Sequence, residues 1–184
     1  GPRTKALEKE VEKLAQVPKV LCVNSCTGGL ELMMRWLGIQ EGDEVIIPAF
    51  TYCATANVVL HCGATPIMVD IKPDDLTIDI EAVKNAITTK TKAIVPVHYA
   101  GVACDMDKIM ALAEKYNLLV IEDAAQAIDS FYTGKDGKKR ALGSIGHLAA
   151  FSFHETKNIT GGQAGCISIN NKKFLRRKDY ILDK

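Results

Sequence analysis

Lys157 stands in the run Phe151-Ser152-Phe153-His154-Glu155-Thr156-Lys157-Asn158, between a short apolar segment and a glycine-rich stretch. Upstream of it, Asp123 closes the apolar run Leu118-Leu119-Val120-Ile121-Glu122-Asp123. A lysine amine held near apolar surface condenses with an aldehyde to a Schiff base, and a carboxylate at a strand end keeps a heterocyclic nitrogen protonated. Together these are what pyridoxal 5'-phosphate needs to be held and to act as an electron sink. Singly, neither residue says so. Most lysines are surface residues, and an aspartate after a strand also serves as a helix cap or as half of an ion pair.

The elements that must position these two residues follow from periodicity. Leu7, Val11 and Leu14 mark one face of a helix over Lys5–Leu14, and Leu30, Met33, Met34 and Leu37 recur at helical spacing up to Gly38. Further helices are predicted over Tyr52–His61, Ile80–Ala86, Asp105–Tyr116 (with Asp105 as N-cap) and Phe174–Leu182. Between them lie short apolar runs at Val20–Val23, Glu44–Pro48, Pro66–Val69, Ala93–Val97, Leu118–Asp123, Leu148–Phe153 and Cys166–Ile169. Strands that are nearly continuous in apolar residues and alternate with helices give an α/β three-layer sandwich, with a mostly parallel sheet of about seven strands. Tyr132–Arg140 is turn-rich and basic, as an exposed hairpin or loop would be.

In such a sheet ligands sit beyond the carboxyl ends of the strands. Three groups fall there: Ser25–Gly29, Asp123 with Gln126, and Ser152–Lys157. The first is a strand–turn–helix of small residues whose free N–H groups and positive dipole end could hold a phosphate, although a plain N-cap looks the same in sequence. Tyr52 is an aromatic that joins these groups or is simply a core residue, and His98 and His154 read as structural histidines without an evident partner. The order of phosphate turn, aromatic, strand-end acid and late lysine is what favours a shared site.

Bulk properties remove several other classes. The chain has 184 residues, 47% hydrophobic and 24% charged, with net charge +1, so no broad field advertises nucleic acid or an anionic membrane as a partner. No apolar stretch is long enough to span a bilayer, and the N-terminal residues lack a signal peptide's apolar region. The six cysteines are scattered without a Cys-x-x-Cys pair and the four histidines do not cluster, which argues against a disulfide framework and against zinc. The expectation is a cytoplasmic protein with reduced, packed thiols and no metal.

The runs Ser25-Cys26-Thr27, Gly42 to Tyr52 and Thr55-Ala56-Asn57 resemble the DegT/DnrJ/EryC1/StrS family of sugar aminotransferases. So do Val97-His98-Tyr99-Ala100-Gly101, Glu122-Asp123-Ala124-Ala125-Gln126 and Phe151 to Asn158, and the similarity covers nearly the whole chain. The resemblance implies the large domain of a fold-type I pyridoxal-phosphate-dependent transferase, like that of aspartate aminotransferase. Lys157 would bind the cofactor aldehyde and shuttle a proton, and Asp123 would pair with the ring nitrogen. Tyr52 would stack on the ring, Gln126 would lie against it, and Cys26, Thr27 and Ser152 would hold the phosphate. The implied reaction moves an amino group from L-glutamate to the C4 ketone of a nucleotide-linked 4-keto-6-deoxy sugar, most readily a dTDP-sugar. Such amino sugars serve polysaccharide or lipopolysaccharide biosynthesis. The family's sites lie at a homodimer interface.

Two departures from the family pattern keep a second reading in play. Where the family usually carries Gly-Glu-Gly-Gly, this chain has Gly162-Gln163-Ala164-Gly165, and the loop at Lys135–Arg140 is longer. The family also begins earlier and continues into a small C-terminal domain, so residues 1–184 are expected to be an incomplete large domain. A degenerate, non-catalytic member with a structural or regulatory role is the alternative. A Rossmann-type nucleotide binder is excluded, since no Gly-x-Gly-x-x-Gly follows the first strand.

Overall fold

The computed structural model describes residues 1–175. Helix α1 (Pro2–Leu14) leads into β1 (Val20–Val23), α2 (Cys26–Trp36), β2 (Glu44–Pro48), α3 (Ala54–His61), β3 (Thr65–Val69), α4 (Ile80–Ala86) and β4 (Thr91–Ile94). A 3-10 turn at Tyr99–Gly101 precedes α5 (Met106–Tyr116) and β5 (Leu119–Asp123). The hairpin β6 (Phe131–Thr133) and β7 (Lys139–Ala141) follows, then β8 (Leu148–Ser152), β9 (Gly165–Ile169) and the short α6 (Lys172–Leu175). The helix expected over Phe174–Leu182 lies, apart from its first two residues, outside the described residues.

Seven strands form one sheet in the order β1-β9-β8-β5-β4-β2-β3. Only β9 runs against its neighbours β1 and β8; all other pairings are parallel. Successive side chains of a strand point to opposite faces, and both faces are covered. Val45, Ile47, Ile121, Leu148 and Ala150 pack against Leu30, Met33 and Met34 of α2 and Val58 and Val59 of α3. On the other face Ile46, Ile94 and Val120 meet Val83 of α4 and Met106, Ile109 and Ala113 of α5, while Phe151 and Val20 meet Val11 of α1. The three-layer α/β sandwich is the architecture expected from strands without polar alternation.

Of the boundaries that differ from the sequence reading, three bear on the site. Helix α2 begins at Cys26, so Cys26–Gly29 is its first turn and not a loop. Its glycines answer to packing: a Cβ at Gly29 would lie 2.8 Å from Ile167 Cγ2, and one at Gly28 2.6 Å from Asn24 Oδ1. Strand β4 stops at Ile94, before Pro96, which has no N–H for a ladder; Val97 makes only an isolated bridge to Asp123. Helix α3 starts at Ala54, leaving Tyr52 in the preceding loop. Asp105 caps α5 as expected, accepting the Lys108 N–H at 3.2 Å, and the basic segment is the β6–β7 hairpin. Among the described residues no helix is long and apolar enough to cross a membrane.

Candidate active site

The C-terminal ends of β1, β2, β4, β5 and β8 converge on one edge of the sheet, and β9, running the other way, presents its first residue, Gly165, there. A cleft of about 590 Å³ opens at that edge. Cys26, Thr27, Tyr52, Asp123, Gln126, Ser152 and Lys157, all the residues singled out from sequence, line it.

Asp123 is the most constrained of them. It is 5% exposed, its N–H donates to Pro96 O at 2.9 Å, and its carbonyl accepts the His98 N–H at 3.1 Å. Its carboxylate accepts neutral donors: the Ala125 N–H on Oδ1 at 3.1 Å and the Thr55 hydroxyl on Oδ2 at 3.0 Å. Burial pushes the carboxyl pKa up, opposed by those two donors and by the nearby charge of Lys157. The group is thus positioned and incompletely compensated, ready to gain from a cation in the cleft.

The first N–H groups of a helix have no intrahelical partner. In α2 the Ser25 hydroxyl takes the Gly28 N–H at 3.0 Å and the Ser25 carbonyl takes the Gly29 N–H at 3.0 Å. The Cys26 and Thr27 amides are left at the positive end of the helix dipole, beside the cleft. Gly165 makes room for them, since a Cβ there would lie 2.5 Å from Cys26 N. The Cys26 thiol is buried, and burial, reinforced by the Asp123 charge, pushes its pKa well up. A thiol held protonated is no nucleophile, so Cys26 offers the site its backbone. Ser152 is buried at the end of β8, with its hydroxyl accepting the His154 N–H at 3.3 Å.

Lys157 is half-buried in a bend after β8, held by its N–H to His154 O at 2.9 Å, and the next residue anchors the bend through Asn158 Nδ2 to Ile128 O at 3.3 Å. Tyr52 is 77% exposed at the cleft mouth, near the edge-to-face pair Phe50–Tyr99 with ring centroids 5.0 Å apart. The Gln126 side chain is tied to the neighbouring loop, its Oε1 accepting the Ala100 N–H at 2.7 Å.

Sequence reasoning missed two sets of partners. His98 has one after all: its Nε2 lies 2.8 Å from Glu122 Oε2, both side chains fully buried. The Cys104 N–H reaches His98 Nδ1 at 3.3 Å, so the ring proton sits on Nε2 and is given to Glu122. Glu122 also accepts the N–H groups of Gly143, Ile145 and Gly146. Because Glu122 and Asp123 are consecutive on β5 they face opposite ways, one building the wall and the other the site. The second missed set is Thr51 and Thr55, whose i, i+4 spacing was the available signal.

A profile of the DegT/DnrJ/EryC1/StrS aminotransferase family matches residues 1–181. The chain belongs to that family. Bacillus subtilis SpsC, a spore coat polysaccharide biosynthesis protein, is 42% identical over 95% of this chain and 43% of its own length. The sugar aminotransferase Spr1654 of Streptococcus pneumoniae, described as putative, was solved in forms with PLP and with PMP. It superposes with TM-score 0.88 at 36% identity, covering 100% of this chain and 49% of that one. DesI, solved in the presence of its TDP-sugar product, gives TM-score 0.87 at 32% identity over 96% of this chain and 43% of that one. The chain therefore spans less than half the length of the relatives it matches. The fold is that of the fold-type I pyridoxal-phosphate-dependent aminotransferases.

The family's cofactor fits this DegT/DnrJ/EryC1/StrS cleft on the cleft's own evidence. Unbonded amides beside a glycine suit a phosphate, a buried carboxylate with only neutral donors suits a ring cation, and the Lys157 amine lines the same cavity.

Proposed function

We propose that this chain is the cofactor-binding part of an aminotransferase that moves an amino group from L-glutamate to the C4 ketone of a nucleotide-linked 4-keto-6-deoxy sugar. The observation that carries the reading is that Lys157 and Asp123 line a single cleft with the amide-rich start of α2. When bound, pyridoxal phosphate supplies the carbonyl that accepts the amino group and the ring that spreads the resulting negative charge.

The residues divide the remaining work. The Lys157 amine would hold the cofactor's aldehyde carbon and would carry a proton at the reacting carbon. Asp123 keeps the ring nitrogen protonated through Oδ1 or Oδ2. The Cys26 and Thr27 amides, the Thr27 hydroxyl and the Ser152 hydroxyl bind the phosphate, while Tyr52 and Gln126 flank the ring. The TDP-sugar named with DesI supports a nucleotide-linked acceptor, a dTDP-sugar first, and the spore coat polysaccharide biosynthesis of SpsC supports use in a cell-surface polysaccharide. The exposed Tyr52 (77%) at the cleft mouth and Phe50 (44%), packed on the cleft residue Tyr99, support a homodimer that covers them.

The competing reading, a non-catalytic member, rests on Gln163-Ala164. Both line the cleft, and the Ala164 carbonyl accepts the Phe153 N–H at 2.8 Å. The visible spectrum of the protein mixed with pyridoxal phosphate separates the two. The enzyme reading expects a band that is absent from Lys157→Ala and that glutamate bleaches. A wild-type spectrum no different from free cofactor sinks it.

A further inference from the structure

Beneath the cleft, Thr51 in the loop before α3 and Thr55 in the first turn of α3 hold their hydroxyl oxygens 2.8 Å from each other. Thr55 is fully buried, and its hydroxyl also lies 3.0 Å from Asp123 Oδ2. A threonine hydroxyl has one hydrogen to donate. A carboxylate can only accept, so the Thr55 hydrogen points to Asp123. The short contact to Thr51 then requires the Thr51 hydrogen to point to Thr55. The chain has one direction, Thr51 to Thr55 to Asp123, and its outer member lines the cleft. On the other side, the Ala125 N–H holds Oδ1 at 3.1 Å.

We propose that Thr51 and Thr55 are positioning residues: a hydroxyl relay, aimed at Asp123, that fixes the rotation of its carboxylate and favours its ionised form. This rests on the reading of Asp123 as partner of a ring nitrogen. Each hydrogen bond in a chain polarises the next, so Thr51 acts on Asp123 without touching it. The relay works against the burial that pushes the Asp123 pKa up, alongside the Ala125 amide and the Lys157 charge. It also explains why two hydroxyls stand where an apolar helix start would pack as well. Valine matches threonine in shape and removes the donor.

The test is carried out first without cofactor, on Thr55→Val, Thr51→Val and Thr55→Ser in the full chain. The Asp123 side-chain carboxyl is followed through a pH titration by 13C NMR, assigned by its absence in Asp123→Asn. The relay predicts an upward shift in Thr55→Val, a smaller upward shift in Thr51→Val, and near wild-type behaviour in Thr55→Ser. Pyridoxal phosphate affinity should fall about tenfold in Thr55→Val, as for the loss of one hydrogen bond to a charged group. An Asp123 titration unchanged in Thr55→Val overturns the proposal. If Thr55→Val does not fold, Thr51→Val decides alone, since its hydroxyl reaches the cleft edge and its effect can arrive only through Thr55; an unchanged titration there overturns the relay equally. Because the carboxyl titration needs no cofactor, it can fail while the Lys157 spectrum holds, or hold while that spectrum fails.

Discussion

Asp123 and Glu122 are neighbours on one strand with opposite electrostatic situations. Asp123 faces the cleft, and burial raises its pKa in the folded chain. A carboxyl whose folded pKa lies above its unfolded value contributes stability that is fully present below the unfolded pKa and is lost as pH rises through the folded one. At neutral pH, then, the ionised group costs the cofactor-free fold stability. Urea unfolding should show Asp123→Asn more stable than wild type at neutral pH, with the advantage shrinking as the carboxyl protonates in acid; the same variant should bind pyridoxal phosphate poorly. A variant less stable at every pH would contradict that picture. Glu122 is instead fully compensated by His98 and three backbone N–H groups. His98→Ala strips one member from a buried hydrogen-bonded pair, and chemical denaturation should register a loss of about 3 kcal/mol. That loss comes from the wall of the site and not from its chemistry. That Asp123 and Lys157 meet in one cleft was legible in the sequence because they end or follow strands whose carboxyl ends share an edge of a parallel sheet. Thr55 was not, because its partner Asp123 lies 68 positions away and the spacing of Thr51 and Thr55 alone does not say where their hydroxyls point.

Among the elements, the strands were the most legible, since runs such as Leu148–Ser152 are buried throughout and apolar up to their terminal residue. The start of α2 was misplaced because Gly28 and Gly29 look like a turn. They are helical glycines, required by Asn24 on one side and Ile167 on the other. The same reasoning applies to Gly165, where β9 begins against the first residue of α2. A Cβ there would meet Cys26 N and Ser25 C at 2.5 Å, backbone atoms that cannot swing away. Gly165→Ala should therefore displace the helix start and its free amides. Equilibrium dialysis should find pyridoxal phosphate affinity reduced at least tenfold, with a thermal melt lowered by several degrees. Affinity at the wild-type level would show that the start of α2 does not hold the phosphate.

For the whole molecule, the doubly covered, mostly parallel sheet places the carboxyl ends of six strands at one edge, and every candidate side chain comes from a loop or element terminus at that edge. This is why a site scattered from Cys26 to Lys157 could be read as one constellation before any coordinate was known. Parallel sheets put ligands there. The aromatic residues Phe50 and Tyr52 stand exposed at the same edge, a location that the sequence could not distinguish from the core. Sedimentation of the protein should show a homodimer that Phe50→Asp weakens; a wild-type monomer at micromolar concentration would remove that part of the proposal.

The central claim is that the amine of Lys157 reaches an aldehyde whose ring Asp123 grips in the same cleft. Borohydride reduction of the protein mixed with pyridoxal phosphate, followed by peptide mapping, tests it most directly. A single stoichiometric adduct on Lys157, sharply diminished in Asp123→Asn, is the expected result. Adducts spread over the surface lysines with Lys157 unmodified would contradict it.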